Sequence, residues 1–217
     1  MMSKVFIHEL EELKEEIAHI GELTALNIRE SVAALKEHDK EKAEKVFDRD
    51  KIIDRTSHQV ESRAATLLAL YQPMARDLRE LIACIRINID LERMSDMTVS
   101  IAGIAIKTLN EEHVKPLVDI PKMAEISVEM LTDALKHFKN GDADEVIKIA
   151  ERDDEIDQLY DQVRRELITY MIEDPKTIKN ASDLLFAAKR LERVGDHITN
   201  ICESIVYAID GRRVELN

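Results

Sequence analysis

Four pairs of acidic residues share one spacing, acid-x-x-x-Asp: Asp50 with Asp54, Glu92 with Asp96, Asp153 with Asp157, and Glu192 with Asp196. On a helix, residues four apart share a face with Cβ atoms about 5–6 Å apart. Each pair therefore sets two carboxylates side by side, where they repel unless water, arginine or a cation intervenes. Asp50 falls on the apolar seam of Val46, Ile53, Val60 and Leu67, while Asp153 interrupts that of Val146, Ile149, Ile156, Val163 and Leu167. Glu92 and Asp96 continue a seam running through Leu78, Ile82, Ile85, Ile89 and Val99, and Glu192 and Asp196 flank Leu191, Ile198 and Ile205. A carboxylate drawn toward a core must protonate, pair or bind metal. Oxygen-only ligands suit hard cations, here Mg, Mn, Ca or iron, in divalent or trivalent form, rather than Zn or Cu(I). His58, four residues after Asp54, and Asp161, four after Asp157, extend each ladder by one step and would admit iron or another transition metal.

Charge runs on helices ordinarily face water, and a chain with 44 acids has many of them. Repetition of all four pairs in register and against apolar seams favours a shared site. Arg49 and Arg152, like Arg93 and Arg193, also repeat and could neutralise acids on a neighbouring helix. Adjacent helical residues point about 100° apart, so Arg93 is not expected to share the face of Glu92. Glu16-Ile-Ala-His19 has the Glu-x-x-His spacing of ferritin-like di-iron proteins but is not repeated. Cys84 and Cys202 lie near apolar faces and read as buried structural thiols. No Gly-rich phosphate loop, Gly-x-Ser-x-Gly or Cys-x-x-Cys occurs.

The elements that must carry these acids are long helices. Asp39 suits an N-cap, Pro73 a first helical position, and Asp142 with Glu145 a capping box; Asp174-Pro175 is a break. Residues 110–121, with two prolines, form the expected linker. The pattern predicts helices near 3–37, 40–70, 73–111, 122–139, 142–172 and 176–209. Residues 48–60 align with 151–163, six of thirteen positions being identical, and Leu91-Glu-Arg-Met-Ser-Asp96 aligns with Leu191-Glu-Arg-Val-Gly-Asp196. The chain is thus an internal duplication. It is all-α, with six helices as two pseudo-symmetric three-helix bundles over 1–113 and 114–217.

Composition narrows the class further. The 217 residues hold 31 Lys+Arg against 44 Asp+Glu, a net charge of −13, which argues against non-specific nucleic-acid binding. Five Gly, four Pro and 45% hydrophobic residues exclude disorder and turn-rich β architectures. Two cysteines argue for a reducing compartment rather than a disulfide scaffold. No apolar run approaches the roughly 18 residues of a membrane span, and the acidic N-terminus is unlike a signal peptide. A cytoplasmic protein without membrane insertion is expected.

The doubled acid-x-x-x-Asp motif, with Leu91-Glu-Arg-Met-Ser-Asp96 and Leu191-Glu-Arg-Val-Gly-Asp196-His, resembles the PhoU family over essentially the whole chain. The resemblance implies a cytoplasmic regulator of phosphate uptake and negative regulator of the phosphate regulon. It implies a non-catalytic adaptor, at the inner membrane face only through its partners. Those partners are the ATPase subunit of the phosphate-specific ABC transporter and the phosphate-sensing histidine kinase, and a homodimer is implied as well. Carried over by position, Asp50, Asp54, Glu92 and Asp96 would hold one metal site, and Asp153, Asp157, Glu192 and Asp196 the other. His58 and Asp161 rest on spacing alone. Proteins that accompany low-affinity phosphate permeases share the fold. The competing function is a metal-dependent oxidoreductase or phosphohydrolase, for which His58 and His197 are the available bases; a structural scaffold with arginine-paired acids is the third.

Overall fold

The computed structural model, which describes residues 4–216, shows how local signals divide the chain. Its helices are α1 (Lys4–Glu37), α2 (Lys40–Tyr71), α3 (Ala75–Lys107), α4 (Asp119–Asn140), α5 (Ala143–Ala150), α6 (Asp153–Glu173) and α7 (Ile178–Asp210). Asp39 and Asp142 cap α2 and α5 by accepting from Lys42 N at 3.1 Å and Glu145 N at 3.2 Å. Gly141 ends α4 at φ 72°, in the left-handed region that glycine enters without steric cost. The expected first-helix start at Ser3, and the outer limits of the two expected units at residues 1 and 217, lie outside the described residues.

Four boundaries differ from expectation, the simplest being α4, which opens at Asp119 rather than 122 and takes Pro121 into its first turn, where a missing N–H costs nothing. Pro73 precedes its helix: Gln72 closes α2 in a left-handed conformation, and α3 starts only at Ala75, after an extended Met74. The third helix stops at Lys107, where the Thr108 hydroxyl bonds back to Ile104 O at 2.9 Å. The fifth predicted helix carries a bend between α5 and α6. There Arg152 N bonds Ile149 O at 3.2 Å and Glu155 N bonds Arg152 O at 3.0 Å, a tighter i→i−3 pattern. Taken as rods, the six expected helices are present and, among the described residues, no strand is.

Helices α1, α2 and α3 pack against one another, as do α4, α5–α6 and α7. Helices α3 and α7 join the two bundles antiparallel, tied by Lys107 Nζ to Asp183 Oδ1 at 2.6 Å and His197 Nδ1 to Asp90 Oδ1 at 2.8 Å. Because α3 touches α1, α2 and α7, its core stripe is Leu81, Cys84, Ile87, Leu91, Met94, Thr98 and Ile101. This corrects the expected seam: Leu78, Ile82, Ile85 and Val99 are half-buried and Ile89 is exposed. A helix enclosed on three sides carries apolar residues around most of its circumference, so period alone does not phase it.

The linker is an ordered strap. His113 Nε2 donates to Leu35 O at 2.8 Å, its ring stacks on His38 at 4.3 Å, and Val114 N donates to Asn180 Oδ1 at 3.1 Å. Arg63 on α2 braces α1 through Glu9 at 2.8 Å, Glu16 at 2.7 Å, and Glu12. Glu16 thus serves an ion pair and His19 is exposed, in keeping with a spacing that is not repeated. Arg63→Ala would leave three carboxylates facing one another. It should lower stability by about 1 kcal/mol in low salt, as for a partly exposed network, with a smaller loss in 1 M NaCl. Urea unfolding at the two salt concentrations measures both.

Candidate functional site

The motif acids lie where α2 meets α3 and where α6 meets α7. In the first cluster Asp50, Asp54 and Glu92 are half-buried, whereas Asp96 and His58 are exposed. In the second, Asp153 is 8% exposed, Glu192, Asp196 and Asp161 are half-buried, and Asp157 is exposed. Asp96 therefore lies off the core seam expected of it, because that stripe of α3 faces outward.

Each cluster behaves as one electrostatic unit. Burial raises the Asp50 carboxyl above its ordinary value; a bond from Ser95 opposes this, and Asp54 and Asp96 add to it. Glu92 is raised by burial, with Arg93 opposing and Asp96 and Asp54 reinforcing. Asp153 is pushed up to about 7 by burial and then by Asp157, Asp196, Glu192 and Asp154. Asp157, though exposed as a residue, is raised by partial desolvation of its carboxyl and by Asp196, Asp154 and Asp161, with Lys189 opposing. Acids from both helices of each pair thus lie within one another's field, although among the described residues no three His, Cys, Asp or Glu side chains converge as a formed ligand set.

The repeated arginines divide. Arg49 reaches Glu30 on α1 at 3.0 Å and Arg152 reaches Glu129 on α4 at 2.7 Å, so each satisfies an acid outside the motifs. Arg93 departs from expectation: its arm curls so that Nε lies 3.6 Å from Glu92 and Nη1 3.6 Å from Asp96. A flexible four-bond side chain spans the 100° between adjacent residues, and the mostly exposed ion pair is worth little. Asp161 pairs with Arg164 at 2.9 Å, and Glu192 with Lys189. Both thiols are buried and free, each pushed up to about 12 by burial, as structural cysteines are.

Two oxygens of the motif acids lack a partner. Asp153 Oδ1 and Glu192 Oε2 are buried with no hydrogen-bond partner. Acceptor atoms deprived of both water and donors are costly, and a hard cation is a partner matched to them. Sequence reasoning missed Ser95, whose Oγ donates to Asp50 Oδ1 at 2.6 Å, and Gly195, against whose backbone Asp153 packs. Their signal was the fifth position of the aligned six-residue segments, where the copies differ.

Comparison with known proteins bears on the fold and its internal duplication. The family model described as "PhoU domain" matches residues 17–105 and again 120–205. A phosphate-specific transport system accessory protein PhoU homolog from Clostridium acetobutylicum is 36% identical over 219 residues, covering 100% of both chains. The crystal structure of PhoU from Pseudomonas aeruginosa superposes with a TM-score of 0.91 at 32% identity, over 95% of this chain and 100% of that one. That of the phosphate transport system regulatory protein PhoU from Streptococcus pneumoniae gives 0.89 at 33%, over 97% and 99%. The twofold match of the domain, together with full-length kinship and a shared fold, makes this chain a member of the PhoU family.

Proposed function

We propose that this protein is a cytoplasmic regulator of phosphate uptake that represses the phosphate regulon. It would act as a metal-binding adaptor between the ATPase subunit of the phosphate-specific ABC transporter and the phosphate-sensing histidine kinase. The observation that carries the reading is full-length similarity to phosphate-specific transport system accessory proteins. Consistent with it, no helix among the described residues is long and apolar enough to cross a membrane.

Asp50, Asp54, Glu92 and Asp96 would hold one cation site, and Asp153, Asp157, Glu192 and Asp196 the other, with His58 and Asp161 at the margins. A bound cation supplies neutralising charge to carboxylates that otherwise repel. The chain's own contribution is to hold acids from two helices of a bundle on one face, so that neutralisation draws α2 to α3 and α6 to α7. Long helices then present a settled surface to a partner. The enzymatic reading draws no support from the geometry: His197 is engaged with Asp90 across the α3–α7 contact, and His58 is exposed.

Deleting the gene in its host should leave a phosphate-regulon reporter expressed in phosphate-rich medium, and the intact gene should restore repression. An Asp54→Ala/Asp157→Ala protein should lose most bound metal by elemental analysis and restore repression incompletely. Normal repression in the deletion strain would overturn the regulatory role. Metal content unchanged in the double variant would overturn the site assignment.

A further inference from the structure

We propose that the two carboxylate sites are unequal, and that Ser95 and Gly195 set the difference, so that a divalent cation loads the α6–α7 site before the α2–α3 site. This rests on the metal-binding reading above and adds an order of filling to it.

In the α2–α3 site a hydrogen-bonded chain already serves the buried end of Asp50. Arg49 Nη1 donates to Asn27 Oδ1 at 2.5 Å, Asn27 Nδ2 to Ser95 Oγ at 3.4 Å, and Ser95 Oγ to Asp50 Oδ1 at 2.6 Å. Asn27 and Ser95 are fully buried, so their amide and hydroxyl dipoles, aligned from the Arg49 cation to the Asp50 carboxylate, are shielded from water. Arg93 stands near Glu92 and Asp96 as Lys189 does near Glu192 in the other half, so the hydrogen-bonded chain, not this outer cation, distinguishes the two sites. A cation entering here displaces or shares compensation that the fold supplies.

The α6–α7 site lacks that chain. Ser127 on α4, which lies 100 residues after Asn27 as Gly195 does after Ser95, turns its hydroxyl back to Met123 O at 2.9 Å, and Arg152 is committed to Glu129. At position 195 there is no side chain. A Cβ there would overlap Asp153 Oδ1 and stand 3.2 Å from Ile156 Cδ1. The carboxylate thus occupies the space that the serine side chain fills in the other half. It is 8% exposed with Oδ1 unpartnered, while Glu192 keeps Oε2 unpartnered and accepts from Lys189 Nζ through Oε1. Hydrogen bonds around a ligand ordinarily aid metal binding by orienting it, typically by 10- to 100-fold. Asp153 is oriented by packing instead, so Oδ1 keeps its acceptor capacity for the ion.

Equilibrium dialysis of chelator-treated full-length protein against Mn2+ tests this. The wild type should show two classes of site separated by about tenfold or more, the scale of a hydrogen-bonded outer-shell group. Asp153→Asn should abolish the tighter class and Asp50→Asn the weaker one. Ser95→Gly should strengthen the weaker class and narrow the gap. Gly195→Ser, checked for native helicity by circular dichroism, should weaken the tighter class by about tenfold. Two equal classes, or a Ser95→Gly protein whose α2–α3 site weakens, would overturn the inference while leaving metal binding intact. An absence of Mn2+ binding in the wild type would overturn both.

Discussion

In chelator-treated protein, Asp153→Asn should stabilise the fold at pH 8 and have almost no effect at pH 4. The Asp153 carboxyl is raised from 3.8 to about 7, chiefly by burial and then by its acidic neighbours. A raised acid binds its proton more tightly in the folded chain. The cost of folding with it ionised is therefore absent below the unfolded value near 3.8, grows through the interval, and is complete above about 7. Full conversion of that shift corresponds to about 4 kcal/mol. Screening through the water-facing carboxylates around it reduces the expected gain to about 2 kcal/mol at pH 8. Urea unfolding at pH 4 and pH 8 measures it. A variant no more stable than the wild type at pH 8 would contradict the description of Asp153 as a buried, uncompensated charge. Added Mn2+ should reverse the ranking, since only the wild type has the charge that the ion neutralises.

Lys14→Met should be the most destabilising charge substitution in the molecule, at about 3 kcal/mol near pH 7. Lys14 is 8% exposed on α1, with Nζ 2.6 Å from Glu80 Oε2 on α3 and 3.2 Å from Glu11. Methionine keeps the packing near Phe138 but leaves Glu80, itself largely buried, with Arg76 at 2.7 Å as its remaining partner. For a domain of this size the loss corresponds to a fall in Tm of roughly 6–12 °C. Burial opposes charge on both residues, yet Glu80 with Glu11, and Lys14 with Arg76, together outweigh it, so Lys14 is raised above 10.5 and Glu80 is held below 4.5. The Glu80 contribution is present above 4.5 and is lost as pH falls through its lower folded value. That of Lys14 is present below 10.5 and is lost as pH rises through its higher one. Lys14→Met/Glu80→Leu should recover most of the loss, because removing both charges removes the unpaired one. Calorimetry of the three proteins decides the matter; a double variant as unstable as Lys14→Met would show that packing, not charge, was lost.

Periodicity and punctuation were sufficient to make the chain an all-helical duplication and to place four acid pairs on helix faces. Those features are local: a helix puts residues four apart together whatever surrounds it, and Asp39 or Asp142 caps its own helix. Relations between helices were not local. The core stripe of α3 depended on which neighbours enclose it. The reach of Arg93 depended on its arm rather than on the angle at its backbone. The deep setting of Asp153 depended on the absence of a side chain at position 195 on another helix.

The sequence alone therefore determined which residues could share a site and in how many copies. It displayed the serine and glycine that distinguish the copies without giving them a meaning. Tertiary structure decided that one hydroxyl completes a buried chain to Asp50 while its glycine counterpart leaves Asp153 uncompensated. Compensation of a buried charge depends on donors from other helices, and only packing brings those within hydrogen-bonding distance.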